Sequence, residues 1–192
     1  MTIFLILAPY VAFAALMLAT TATASLFAAA AICLTVIAYD ILRGRSIKIL
    51  GAGSVIVFAA IGCYTALIDP SLSNSAVRFA VDSGIFLISL TSIAIRYPFT
   101  LQYALEMTDA ETARQPGFIR SNYIITSAWT GAALLMMVGN AATIYVPGLP
   151  IWAGLLIAFA ARNCAVYFTK WYPQYLKAKY GPAPCDGLSE TR

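Results

Sequence analysis

Long uncharged stretches alternate with short basic ones along this chain. The first 42 residues hold a single charged side chain, Asp40, and from Arg43 onward lysines and arginines gather mainly at three places. A helix needs about 20 apolar residues to cross the roughly 30 Å hydrocarbon core of a bilayer, because each residue advances the helix by about 1.5 Å. The alternation therefore predicts a chain that crosses a membrane several times.

Six stretches have the length and composition of a membrane span. Hydrophobic residues make up 61% of the chain and charged residues 10%, and the mean hydropathy is +0.81. Inside lipid a helix satisfies its own backbone hydrogen bonds. We predict an all-α fold, a polytopic transmembrane bundle of six helices over residues 2–19, 24–42, 49–68, 79–95, 123–145 and 150–169.

The distribution of positive charge predicts the orientation. The loops after the second and fourth predicted helices and the C-terminal tail together hold ten of the 12 basic residues, whereas the opposite connections hold Arg78 alone. Basic loops stay on the cytoplasmic side during insertion, so both termini are expected in the cytoplasm. The net charge of +4 is explained by loops that face anionic lipid headgroups. The expected partner is the lipid bilayer, and no nucleic acid is expected.

Three regions follow from this pattern. Residues 1–180 form the six-helix domain, and residues 96–121 form a cytoplasmic loop whose apolar spacing suits the membrane surface. The last helix is expected to continue past the membrane surface, and Pro173 is expected to cut or kink it within one turn of Lys170. Residues 181–192 are rich in proline and glycine and poor in apolar side chains, which predicts a disordered cytoplasmic tail.

The residue types of common catalytic and metal sites are scarce. Histidine is absent, and the four cysteines form no C-x-x-C pair. No nucleophile with a neighbouring base and no phosphate-binding glycine loop is visible. The sequence therefore predicts no cofactor, no metal site and no catalytic residues, and it favours a protein that is not an enzyme while leaving catalysis open.

Ionisable residues within membrane spans are the strongest site candidates, because each costs about 2.5–3.5 kcal/mol at the bilayer centre. Arg162, Asp40 and Asp82 qualify. Arg162 and Asp40 lie at depths that would let them form an ion pair if the second and sixth spans are neighbours. Asp82 either serves a proton-coupled carrier or is paired locally with Arg78, four residues before it.

Two asparagines in the last two spans are further candidates. Asn140 and Asn163 can form hydrogen bonds of modest strength between helices. We expect both to serve helix packing rather than to form a functional site. The sequence leaves open whether the chain forms a homo-oligomer.

A weak internal echo is visible at a spacing of 75 residues. Arg45-Ser46 recurs as Arg120-Ser121, and Tyr97-Pro98 recurs as Tyr172-Pro173. Duplicated halves are common in transporter folds, so the echo favours a transporter.

Three short motifs fall between the fourth and sixth predicted helices. They are Arg96-Tyr97-Pro98-Phe99 with Gln102, Asn122 followed by Ala128-Trp129, and Asn140-Ala141-Ala142-Thr143-Ile144-Tyr145. These motifs resemble those of the intracellular septation protein A family and of related bacterial inner-membrane proteins without an assigned activity, and the resemblance covers roughly residues 38–173. The chain departs from that family in a first helix without an early charge and in the spacing between Asn122 and Trp129.

The resemblance implies a multi-pass protein of the bacterial inner membrane that maintains the cell envelope or septation through contacts with envelope or division proteins. Its partner-docking candidates are Arg96, Pro98, Phe99 and Gln102. The alternative from the residues themselves is a small permease or channel with a polar path near Arg162, Asp40 and Asp82. A hydrated cavity that reaches Arg162 would favour the permease, and a dry bundle would exclude it.

Overall fold

The fold is helical throughout the part of the chain that the computed structural model describes. Residues 2–146 and 148–180 are described, without the side chains of residues 2–6, 151 and 180, and no strand forms among them. The predicted disordered tail, 181–192, lies outside the described residues. In chain order the helices are α1 (Thr2–Ala19), α2 (Ala22–Leu42), α3 (Ile49–Leu67), α4 (Asn74–Ala94), α5 (Phe99–Leu105), α6 (Ala110–Ala113), α7 (Pro116–Tyr145) and α8 (Ile151–Tyr180).

Five of these helices are long and apolar enough to cross a membrane. They are α2, α3, α4, α7 and α8, and α1 adds a shorter apolar segment, Leu7–Ala19. The all-α prediction with several candidate membrane spans is therefore confirmed. The predicted total of six spans, and the cytoplasmic position of the termini, remain predictions.

The long helices pack against their neighbours in chain order, α1 on α2, α2 on α3, α3 on α4, α4 on α7 and α7 on α8. One apolar core joins the first four helices around Phe58, whose ring lies 5.8 Å from Tyr10 and 5.5 Å from Phe13. A second core joins α7 and α8 around Ala133, Met136 and Ala165. The two halves meet where α4 packs on α7.

Three helices begin earlier than the sequence predicted, α2 by two residues and α4 and α7 by more, and the two larger differences have local reasons. Helix α4 begins at Asn74 rather than at residue 79, because the Ser73 side chain accepts a hydrogen bond from the Ala76 N–H and caps the helix. Helix α7 begins at Pro116 rather than at residue 123. Proline is favoured in the first helical turn, where its missing N–H costs nothing, so the Pro-Gly pair starts a helix instead of extending the loop.

Helix α8 also extends beyond its prediction. It continues through Pro173 to Tyr180, so the proline does not cut the helix. Two aromatic pairs four residues apart lie at this point, with ring centroids 5.2 Å apart for Phe168 and Tyr172 just before the proline and 5.1 Å apart for Trp171 and Tyr175 across it. Such pairs stabilise a helix and offset the hydrogen bond that proline removes.

Helices α3 and α4 approach closely through two glycines. A Cβ on Gly84 would lie 2.6 Å from the Val57 methyl groups, and one on Gly53 would lie 2.7 Å from Ile88 Cδ1. Only glycine fits this close contact, which brings the polar side chains of α4 against the neighbouring helices.

The predicted loop 96–121 contains ordered structure. It includes α5, α6 and the first turns of α7, and α5 packs against α7 through the Thr100 hydroxyl, which lies 2.7 Å from that of Thr126. Loop 43–48 lies beside α5. We call the end of the bundle that holds loop 43–48, α5 and α6 the basic end.

Candidate functional site

Asp82 and Asn140 form a buried polar contact between α4 and α7. The Asn140 Nδ2 donates a hydrogen bond of 2.6 Å to Asp82 Oδ2, and the two residues are only 8% and 5% exposed. Asp82 lies eight residues into α4, about 12 Å from its first turn. A carboxylate is thus held inside a candidate membrane span by an amide on the neighbouring helix.

Two arginines contribute to the electrostatic environment of this carboxylate without forming a salt bridge to it among the described contacts. They are Arg78 of α4 and Arg162 of α8. Arg162 lies about 16 Å from the first residue of α8, well inside a candidate membrane span. We call the buried pair Asp82 and Asn140, together with the half-buried Arg162, the buried cluster.

Glycines allow α8 to lie close to this cluster. A Cβ on Gly154 would lie 3.4 Å from the Gly139 carbonyl oxygen and 3.5 Å from Asn140 Oδ1, and one on Gly139 would lie 2.9 Å from Ile157. The pair Gly139 and Gly154 therefore brings α8 against the Asn140 amide.

A second polar cluster lies at the basic end. The Lys48 ammonium lies 2.7 Å from Asp40 Oδ2 and 3.0 Å from Glu106 Oε1, and its side chain is 3% exposed. Arg45 reaches the same two carboxylates at 3.4 and 3.8 Å, with its side chain 41% exposed. This ion cluster joins the ends of α2 and α5 to the start of α3.

The expected ion pair between Asp40 and Arg162 was therefore wrong. Asp40 pairs with Lys48 and Arg45, whereas Arg162 interacts with Asp82. The reason is the packing order of the helices. Helix α8 packs on α7, which lies beside α4, whereas α2 packs on α1 and α3.

Aromatic and amide side chains complete the ion cluster. The Tyr103 ring lies 5.4 Å from the Lys48 ammonium, and burial raises the pKa of Tyr103 above its ordinary value, which keeps its hydroxyl neutral. Gln102 Oε1 accepts a hydrogen bond of 2.8 Å from the Ile49 N–H at the start of α3. Its Nε2 is buried without a hydrogen-bond partner among the described residues.

A small cavity adjoins the ion cluster, and its lining includes Asp40 and Arg45 but none of Asp82, Asn140 and Arg162. Its volume is about 30 Å³, enough for a water molecule or two. The Tyr10 hydroxyl is hydrogen-bonded to Ser54 Oγ beside it. Polar side chains on its wall come from four helices and one loop, and they are Tyr10, Cys33, Asp40, Arg45, Ser54 and Tyr103.

A larger groove of about 730 Å³ separates α7 from α8 on an outer face. Gly131, Ala160 and Phe168 are among the apolar residues that line it. It offers no charged or amide group that would recognise a polar solute.

The remaining sequence candidates fall into different surroundings. Asn163 is exposed on α8, and its Nδ2 donates 2.7 Å to the carbonyl of Phe159 in the same helix. Arg96 is exposed, with a positive φ of 60° at the end of α4. Pro98, Phe99 and Gln102 are buried against the bundle, so of the four docking candidates Arg96 alone is accessible on the described surface.

Sequence reasoning missed Lys48, Glu106 and the contact between Tyr10 and Ser54. Lys48 was counted only as a positive loop residue, although a carboxylate eight residues before it across a short turn signals a pair. Among the described residues, no group of three or more Cys, Asp or Glu side chains forms a metal-binding cluster.

No family model, curated protein or solved structure matches this chain. The resemblance to the septation family therefore remains a prediction from short motifs.

Proposed function

We propose that this chain is a small membrane permease in which the buried cluster binds a hydrophilic solute or a proton. The observation that carries the proposal is the hydrogen bond between Asp82 and Asn140 at membrane depth. Ionisable side chains are costly in a membrane interior, and those present usually lie on a solute or ion pathway.

The positions of the polar residues support a pathway rather than an isolated pair. The buried cluster lies in the half of the bundle away from the basic end, and Tyr10 with Ser54 lies deeper, beside the cavity. The ion cluster of Asp40, Lys48 and Glu106 follows at the basic end. Polar groups thus recur along the bundle. Arg162 does not line the cavity, so the proposed path requires the helices to open between the cavity and the buried cluster.

The topology belongs to the same proposal. We propose insertion in a bacterial inner membrane with the basic end and both termini in the cytoplasm, supported by the ten basic residues on that side. The buried cluster would then face the exterior, and the ion cluster would face the cytoplasm.

The envelope or septation role is less well supported by the geometry. It rests on the resemblance, and three of its four docking candidates are buried within the chain. A partner would have to recognise Arg96 and the exposed turns around α6 instead.

Solute-driven proton movement tests the permease proposal. Purified protein would be reconstituted in liposomes loaded with a pH-sensitive dye, and small carboxylic acids and amino acids would be added outside. We expect one of these classes to drive proton entry, and Asp82→Asn to abolish it. Asp69→Asn, which changes a carboxylate in the exposed 68–73 connection, is the matched control and should leave the flux unchanged.

Two results would contradict the proposal. One is a flux that survives Asp82→Asn at its original rate. The other is a cysteine placed at residue 140 that stays inaccessible to water-soluble thiol reagents from both sides while the protein remains folded.

A further inference from the structure

We infer that α8 pairs with α8 of a second copy of this chain through Asn163. The argument begins with the surroundings of Asn163. It lies twelve residues after the start of α8, about 18 Å along a helix whose apolar part would cross a membrane, and it is exposed. Hydrocarbon would therefore surround an amide group.

The hydrogen bonds of Asn163 leave part of this amide unsatisfied. Its Nδ2 donates one bond, to the Phe159 carbonyl. An amide has a second N–H and a carbonyl oxygen with two lone pairs, and neither group has a recorded partner among the described residues. An unsatisfied polar group in an apolar medium costs free energy, so an external partner stabilises it.

Two other exposed polar side chains, on α2 and α7, differ in this respect. The Thr35 hydroxyl on α2 donates its only hydrogen to the Ala31 carbonyl at 2.8 Å, and the Ser127 hydroxyl on α7 donates to the Tyr123 carbonyl at 2.9 Å. Each satisfies its donor within its own helix. Asn163 cannot, because it has two donors and a strong acceptor.

The residues around Asn163 form a continuous seam. Trp152, Leu156, Phe159 and Asn163 recur at intervals of four, three and four residues, which is the spacing of a left-handed helix pair. The three apolar side chains are 61%, 57% and 70% exposed. We call these four residues the α8 seam.

The amide identifies the second copy as the occupant. A two-fold axis beside Asn163 places the same residue opposite itself, and each amide then donates its free N–H to the carbonyl oxygen of the other. A carboxamide is complementary to its own copy, and a single asparagine in a heptad seam fixes register and oligomeric state. Lipid satisfies the three apolar residues but not the amide.

Cross-linking in liposomes tests the inference. The native cysteines Cys33, Cys63, Cys164 and Cys185 would be replaced by alanine, and single cysteines would be placed at Phe159 and, as a control, at Ile56, which is 68% exposed on α3. We expect a covalent dimer from residue 159 and background yield from residue 56.

Substitution of Asn163 distinguishes a specific contact between amides from nonspecific apolar association of α8. Asn163→Leu should weaken dimerisation about tenfold, measured by energy transfer between labelled copies at varied protein-to-lipid ratios. Asn163→Gln keeps an amide and should retain most of the association, and Thr35→Val should leave it unchanged. Thermal unfolding of the monomer in detergent should be the same for all four proteins.

Equal dimer yields from residues 159 and 56, or equal association of the wild type and Asn163→Leu, would overturn the inference. A cross-link that forms in native membranes but not with purified protein would also overturn it, because the partner would then be a different protein. The outcome does not depend on the permease proposal, since no transport is measured.

Discussion

At the scale of single residues, two asparagines on neighbouring helices have opposite surroundings. Asn140 donates to a buried carboxylate, and Asn163 faces outward on α8. From the sequence both were candidates for hydrogen bonds between helices, because both lie in apolar runs. Whether each side chain faces the bundle or its outside depends on which helices pack together.

The two asparagines should differ in their effect on stability. Asn140→Leu removes the donor to Asp82 and leaves a buried acceptor unpaired, which should lower the free energy of unfolding by about 1–3 kcal/mol. Asn163→Leu should change that of the monomer by less than about 0.5 kcal/mol. Thermal unfolding in detergent at a concentration where the protein is monomeric measures both. Equal effects would mean that the Asp82 contact does not hold α4 to α7.

Lys48 and Arg45 provide a second residue-scale comparison. Lys48→Met would leave the Asp40 and Glu106 carboxylates close together without their buried counter-charge, at a cost of about 3 kcal/mol. Arg45→Met removes a half-exposed partner at longer distance and should cost less than about 1 kcal/mol. Denaturation in detergent should separate the two variants. A Lys48→Met protein as stable as Arg45→Met would show that the cluster is solvated.

At the scale of elements, the apolar run lengths predicted the existence of the long helices but not their ends. Run length reports the hydrocarbon thickness, whereas helix ends depend on caps such as Ser73 and on the first-turn position of Pro116. The continuation of α8 through Pro173 depends on stacked side chains. Such contacts cannot be deduced from hydropathy.

Glycines at helix contacts predict an ordered set of effects. Gly84→Ala should destabilise by about 1–3 kcal/mol, because the new Cβ would meet the stiff Val57 side chain at 2.6 Å. Gly131→Ala has nothing within 4 Å and replaces glycine in a helix interior, so it should stabilise by about 0.5–1 kcal/mol. Thermal unfolding again measures both. Destabilisation by Gly131→Ala would indicate that something occupies the groove between α7 and α8.

The short helix α6 should depend on pH. The Asp109 carboxylate accepts hydrogen bonds from the backbone N–H groups of Thr112 and Glu111, and these lower the pKa of Asp109 below its usual range. A lowered pKa means that the cap is fully effective above the ordinary value of about 3.9 and is lost as the pH falls through the lowered one. Amide exchange in residues 110–113, corrected for intrinsic rates, should accelerate as the pH falls through the lowered pKa of Asp109. If Asp109→Ala leaves this pH dependence unchanged, the Asp109 carboxylate is not the group that caps α6.

At the scale of the whole molecule, the packing order of the helices explains why the sequence could not predict which of the candidate residues lie together. Asp82, Asn140 and Arg162 were each identified from their depth in apolar runs. Their grouping required the packing of α4 on α7 and of α7 on α8, which is set by many side-chain contacts. The predicted pairing of Asp40 with Arg162 was wrong because a similar depth along two helices does not bring their side chains together. The two helices must also pack against each other.

The proposed permease requires water to reach the polar groups from both sides of the membrane. Single cysteines would be introduced at residues 140 and 162 and at residues 40 and 54, in a variant without the native cysteines, and treated with a membrane-impermeant thiol reagent from each side of intact and inverted vesicles. We expect residue 140 to react from the exterior and residues 40 and 54 from the cytoplasm, each faster than a cysteine at the lipid-facing Ile56. If residue 140 reacts no faster than residue 56 from either side in folded protein, the buried cluster is dry and the permease account is wrong, whatever the other three positions do.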